Sequence, residues 1–123
     1  MEDKTKKINL IYFRGDTIAF NFKVNGISNL DSAYFTCKEN TEDTTIPILQ
    51  KSLEDGISKI EDGLYAVRIS PEDTEKLKSG IYYYDLQIET KPDKFTIMSG
   101  ILSLKQDITT PKELFEVISW LKM

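Results

Sequence analysis

The sequence contains no histidine and only one cysteine, Cys37. Without histidine there is no Ser-His or Cys-His nucleophile pair, and the commonest zinc ligand is missing. One thiol excludes zinc knuckles, iron–sulfur clusters and any disulfide within the chain. A small secreted domain often relies on disulfides, so their absence points to assembly in a reducing cytoplasm. No apolar run approaches the roughly 20 residues that cross a bilayer, so no membrane partner is expected. The opening MEDKTKKINLIYF has a short apolar stretch followed directly by Arg14, which is not signal-peptide anatomy. Phosphate-cradling G-x-G-x-x-G and G-K-[ST] loops are absent, as is a D-x-D-x-D-G calcium loop. Basic charge is also thin: the net charge is −4, and the only cluster is Lys4, Lys6 and Lys7 beside Glu2 and Asp3. An acidic chain of this kind repels phosphate backbones, which argues against nucleic acid as a partner.

What is present is a period of two. The chain has 123 residues, 40% hydrophobic and 29% charged, enough for one domain with one core. From Thr17 to Val24, Ile18, Phe20, Phe22 and Val24 fall on one face and Ala19, Asn21 and Lys23 on the other. The same alternation predicts strands at about 7–13, 32–38, 46–53, 64–69, 81–89 and 95–104. The last of these is apolar on both faces, with Phe95, Ile97 and Ile101 against Met98, Leu102 and Leu104. That predicts a central strand or a covered outer face. Asn25-Gly26, Asp55-Gly56 and Asp62-Gly63 supply turns, and 91–94 reads as the loop of a final hairpin. About seven short strands separated by such turns predict an all-β fold, an antiparallel sandwich of immunoglobulin-like type.

Two segments read as helical. In SPEDTEKLKSG, Ser70 can cap, Pro71 can start and Gly80 can stop a helix of two turns just before the penultimate strand. In TPKELFEVISWLKM, Thr110 can cap and Pro111 can start. Leu114, Val117, Ile118 and Leu121 then share one face, widened by Phe115 and Trp120. The division expected is a sandwich over 1–109 and an amphipathic helix over 110–123. Such a helix is marginal alone in water and needs something to pack on. It either covers its own sandwich or docks Phe115, Trp120 and Leu121 on a neighbouring subunit.

The run PEDTEKLKSGIYYYD is similar to the corner of immunoglobulin-like domains, where a tyrosine hydroxyl ties back to the backbone before strand F. Tyr82 is the residue placed for that role, with Asp73 and Thr74 shaping the turn. There is no partner cysteine after the tyrosine and no tryptophan in the third strand, so the chain is not antibody-like. A wider resemblance rests on four stretches. They are Arg14-Gly15-Asp16-Thr17; Asp62, Gly63, Tyr65, Val67, Ile69, Pro71, Asp73, Thr74 and Leu77; Gly80, Tyr82, Tyr84, Asp85, Leu86 and Gln87; and Thr96, Gly100, Leu102, Leu104, Asp107, Ile108 and Thr109. Over roughly 8–109 this pattern resembles phage virion proteins related to the N-terminal domain of the baseplate upper protein family. The resemblance implies an adaptor in a tail, baseplate, fibre or neck, made in the host bacterial cytoplasm and carried in the virion. Its partners would be other virion proteins or further copies of itself, and it implies neither catalysis nor a cofactor.

The remaining motifs have plainer readings. The acid pairs Glu54-Asp55, Glu61-Asp62 and Glu72-Asp73 lie at turn signals, where acids bond local backbone, rather than forming a glycosidase pair. Arg14-Gly15-Asp16 spells an adhesion tripeptide but reads as a turn or bulge, with Asp16 and Thr17 bonding nearby backbone. Tyr65, Tyr82 and Tyr84 are expected inside. Tyr83 is expected outside, which makes it the strand residue offered for contact. Exposed edge strands give a second contact route. The rival to a virion adaptor is a carbohydrate- or receptor-binding module.

Overall fold

The computed structural model describes residues 5–108. The predicted helix over 110–123, with Phe115, Trp120 and Leu121, lies outside the described residues. The described part is mostly β. In chain order it runs β1 (Lys6–Lys7), β2 (Leu10–Phe13), β3 (Ile18–Lys23), β4 (Ser32–Lys38), β5 (Leu49–Leu53), β6 (Gly56–Glu61) and β7 (Leu64–Ile69). The helix α1 (Pro71–Glu75) follows, then β8 (Gly80–Thr90) and β9 (Asp93–Lys105).

These strands form one hydrogen-bonded path, β1-β9-β8-β4-β5-β6-β7-β3, with β2 also on β9. The pairings are antiparallel except for β1 and β2 on β9 and a short contact of β5 with β6. At that contact only Ser52 with Gly56 and Leu53 with Ile57 pair, around a tight turn in which Glu54 takes φ 67°. The path folds back there, so that β6, β7 and β3 face β4, β8 and β9. Phe20 on β3 and Phe35 on β4, far apart along the path, meet across the gap with ring centroids 5.9 Å apart.

The alternation of the sequence explains the filling. Ala33, Phe35 and Cys37 of β4, Tyr65, Val67 and Ile69 of β7, and Tyr82, Tyr84, Leu86 and Ile88 of β8 are all buried. With Ile18, Phe22, Ile57, Leu102 and Leu104 they make one core. Full burial of a side chain the size of Phe35 or Leu86 contributes about 1.5–3 kcal/mol. β9 is central, between β8 and the pair β1 and β2, which accounts for its two apolar faces.

The structure departs from the sequence expectations at four places. The strand expected over 7–13 is two strands, because Gly100 lets the linker between them come close: a Cβ there would overlap the Ile8 carbonyl oxygen. The strand expected from 46 begins at Leu49, since Pro47 has no N–H to give a ladder and Ile46 stands in solvent. β6 was not expected, because its only buried apolar residue is Ile57. In β9 a bulge opposite Leu86 and Gln87 inserts one residue, so Phe95 pairs with Ile88 while Met98 pairs with Leu86. Phe95 therefore lies on the same side as Met98, not opposite it.

Candidate protein interaction surface

Beyond the bulge, the outer face of β2, β9, β8 and β4 carries the alternate residues that the core does not use. Ile11 of β2 sits level with Ser103, and Ser103 with Ile81 of β8. The neighbouring row joins Ile101 to Tyr83 and Tyr83 to Lys38. Ile11 and Ile81 are each 62% exposed, Phe13 44% and Tyr83 40%. Ile11 and Phe13 on the edge strand β2 and Ile81 and Tyr83 on β8 flank β9, where half-buried Ile101 and Ser103 lie between them, so the apolar group runs from the sheet edge inward. Scattered exposed apolar residues need no explanation, but a contiguous group does. Tyr83 is outward, as the alternation requires. Tyr34 of β4 also points out, at 42% exposed.

The rim of this face holds a polar corner. Ser70 caps α1, its hydroxyl accepting from the Asp73 N–H at 3.2 Å and donating to the Asp73 carboxylate at 3.0 Å. Lys51 Nζ lies 2.8 Å from the same carboxylate. That contact, outweighing partial burial, holds the Asp73 carboxyl below its ordinary pKa. Thr74 is fully buried; its hydroxyl donates to the Asp16 carbonyl at 2.9 Å and accepts from the Gly15 N–H at 3.0 Å. Arg14 donates to the carbonyls of Leu77 and Glu75, each at 2.7 Å, and to the Asp107 carboxylate at 2.9 Å. The Tyr82 hydroxyl donates to the Lys78 carbonyl at 2.6 Å.

Two further differences lie at this corner. α1 stops at Glu75 instead of making two turns, and the carbonyls of Glu75, Leu77 and Lys78 that follow find donors in Arg14 and Tyr82 rather than in a further turn. The Arg14-Gly15-Asp16 turn is held through the Arg14 guanidinium and Thr74, with Asp16 contributing main-chain groups. In the sequence this turn and the Asp73-Thr74 turn are separate signals. The buried threonine that joins them has no local signature.

Reactive chemistry is scarce among the described residues. The Cys37 thiol is buried and pushed up to about 12, by burial first and then by the Asp85 charge, so it stays a protonated, unreactive thiol. Burial likewise raises Tyr84 to about 12, and its hydroxyl donates to the Ile8 carbonyl. Burial raises the carboxyl of Asp85, on the outer face between Thr36 and Ser99, and Lys38 offsets part of the effect. No group of three or more Cys, Asp or Glu among the described residues is placed to hold a metal ion. No helix among them is long and apolar enough to cross a membrane.

The described residues also form concavities. One is a polar depression of about 350 Å³ beside Tyr34, lined by Asp31, Gln87, Glu89, Lys91 and Lys94. Another is an apolar crevice of about 1410 Å³ between the layers, where β3 faces β1, β2 and the first half of β9.

No family model matches the chain, and no curated protein matches it. Among solved structures it is similar to NK cell receptor Nkp44, a triggering partner in natural cytotoxicity. The identity is 17%, the match covers 84% of this chain and 100% of that one, and the TM-score is 0.46. It is also similar to the extracellular domain of the voltage-gated sodium channel beta4 subunit, whose parallel homodimers explain that protein's role in cell-cell adhesion. There the identity is 12%, the coverage 88% and 97%, and the TM-score 0.37.

Proposed function

We propose that this chain is a non-enzymatic, immunoglobulin-like module that acts by protein–protein contact as a structural adaptor of a phage virion, in a tail, baseplate, fibre or neck. The observation that carries the contact reading is the apolar group Ile11, Phe13, Ile81 and Tyr83 on the outer face of β2, β9 and β8. A sheet face that had evolved only to meet water would alternate polar residues there. The partners are other virion proteins or a second copy of the chain.

The immunoglobulin-like reading is supported by strand arrangement. β2 runs parallel to the last strand at the sheet edge, and Tyr82 ties the start of the penultimate strand to the preceding loop. Antibody-type domains set a disulfide against a tryptophan between their layers; here Phe35 stacks on Tyr84 at 5.3 Å between ring centroids and meets Phe20 in a tilted contact at 5.9 Å. The virion setting is supported by the sequence resemblance, whose Arg14-to-Thr17 and Asp73-Thr74 elements are bonded to one another. Its test is immunoelectron microscopy of purified phage particles with an antibody against the chain. Labelling at one structural position is expected; particles that never label, with the chain found only in the soluble fraction of infected cells, would contradict it.

A second reading, a carbohydrate-binding module, is favoured by the depression beside Tyr34, where one exposed aromatic adjoins amide, carboxylate and amine groups. Titration with cell-wall polysaccharide separates the two. Saturable binding lost in Tyr34→Ala and kept in Tyr83→Ala would replace the adaptor reading.

A further inference from the structure

The crevice is the place where the sandwich stays open. Phe20, Phe22 and Val24 line one side of it, and Leu10, Ile97 and Met98 the other. β3 pairs only with β7 among the described residues, so nothing in 5–108 closes that side. An apolar gap of this size between two layers leaves core side chains facing water.

We propose that the crevice is filled by the chain's own residues 110–123, laid along β3 as the amphipathic helix their pattern predicts. Three observations favour that occupant. The first is where the described chain stops. Lys105 accepts from the Arg14 N–H, and Asp107 pairs with the Arg14 guanidinium, so residue 108 leaves beside the β2–β3 turn. The near end of the crevice, Leu10 and Phe20, lies only a few strand residues from that turn. The second is length. From Phe20 to Asn25 the crevice wall spans about 17 Å at strand rise, and a helix over 110–123 is about 21 Å long. The third is chemistry. The segment's apolar side, Leu114, Val117, Ile118 and Leu121 with Phe115 and Trp120, matches the apolar walls. The helix, marginal alone, and the open core each supply the surface that the other lacks.

Trp120 is the only tryptophan, so its fluorescence reports the segment directly. In the full native chain its emission should be blue-shifted from that of the same chain in denaturant and shielded from iodide. The shift should not change on dilution while light scattering reports a monomer. Leu121→Asp, which alters the segment and leaves 5–108 intact, should return the emission to the solvent-exposed position and increase binding of an apolar dye. Val24→Asp at the crevice wall should do the same with an unchanged far-ultraviolet spectrum, and Tyr83→Asp should not. A solvent-like Trp120 in the native monomer would overturn the proposal. So would a blue shift that appears only as concentration rises, which would place the segment on a second copy. Release by Tyr83→Asp but not by Val24→Asp would put it on the outer face instead. The proposal does not rest on the virion reading and stands or falls without it.

Discussion

At the scale of single residues, Thr74 does what no exposed residue in the corner does: its one hydroxyl serves both the Gly15 N–H and the Asp16 carbonyl. Valine has nearly the same shape but no hydroxyl, so Thr74→Val removes the side-chain partner of two part-buried main-chain groups. That loss should cost about 1–3 kcal/mol, read as a lower urea midpoint. Gly100 is constrained by the closeness of the Ile8 carbonyl. Gly100→Ala should cost about 1–3 kcal/mol in the same assay through forced displacement of the β1–β2 linker. The two shifted carboxyls act in opposite directions. Asp73 is depressed in the fold, so its pairing with Lys51 stabilises above the carboxyl's unfolded pKa and is lost as pH falls through the lower folded value. Asp85 is raised by burial, so its contribution is present below the unfolded value and is lost as pH rises through the folded one. Thermal melts should show Asp85→Asn more stable than the parent at neutral pH, with the gap closing in acid. Lys51→Met should lose stability at neutral pH and approach the parent in acid.

At the scale of elements, the strands that fill the core on one face were legible. β3, β4, β7 and β8 alternate large apolar and polar residues, and their bounds lie within a residue or so of those the alternation predicts. β6 was illegible because an edge-like strand that buries only Ile57 carries no period to read. The parity switch in β9 was illegible for another reason. A bulge is set by the pairing with β8, and a strand apolar on both faces gives no sign of the residue at which its sides exchange. The corner was legible in part. Ser70, Pro71 and Tyr82 announce a cap and a tie, but Arg14 reaches Leu77 across 63 residues of sequence, and nothing local marks that. Tyr34 was missed as an outward aromatic, although its place between buried Ala33 and Phe35 follows from the same alternation that exposed Tyr83. Tyr82→Phe, which removes the bond to the Lys78 carbonyl, should cost about 1 kcal/mol, read as a lower urea midpoint, and leave the far-ultraviolet spectrum unchanged.

At the scale of the whole molecule, the described residues combine a filled core, an inert thiol and no clustered metal ligands with an apolar patch on the outer sheet face and an open side between the layers. The outer patch and the crevice lie on different surfaces, so one can take a partner while the other takes the chain's own terminal segment. The sequence signalled the outer patch through Tyr83 alone, because Ile11, Phe13 and Ile81 become neighbours only when β2 and β8 flank β9. The proposed contact face can be tested where the chain assembles. A photocrosslinking amino acid placed at Tyr83, and separately at Lys59 on the opposite layer, tests it in the cells and particles where the chain assembles. A discrete crosslinked product is expected from position 83, abolished by Ile81→Asp, and none from position 59. Equal crosslinking from the two positions, or none from 83 in assembled particles, would contradict it.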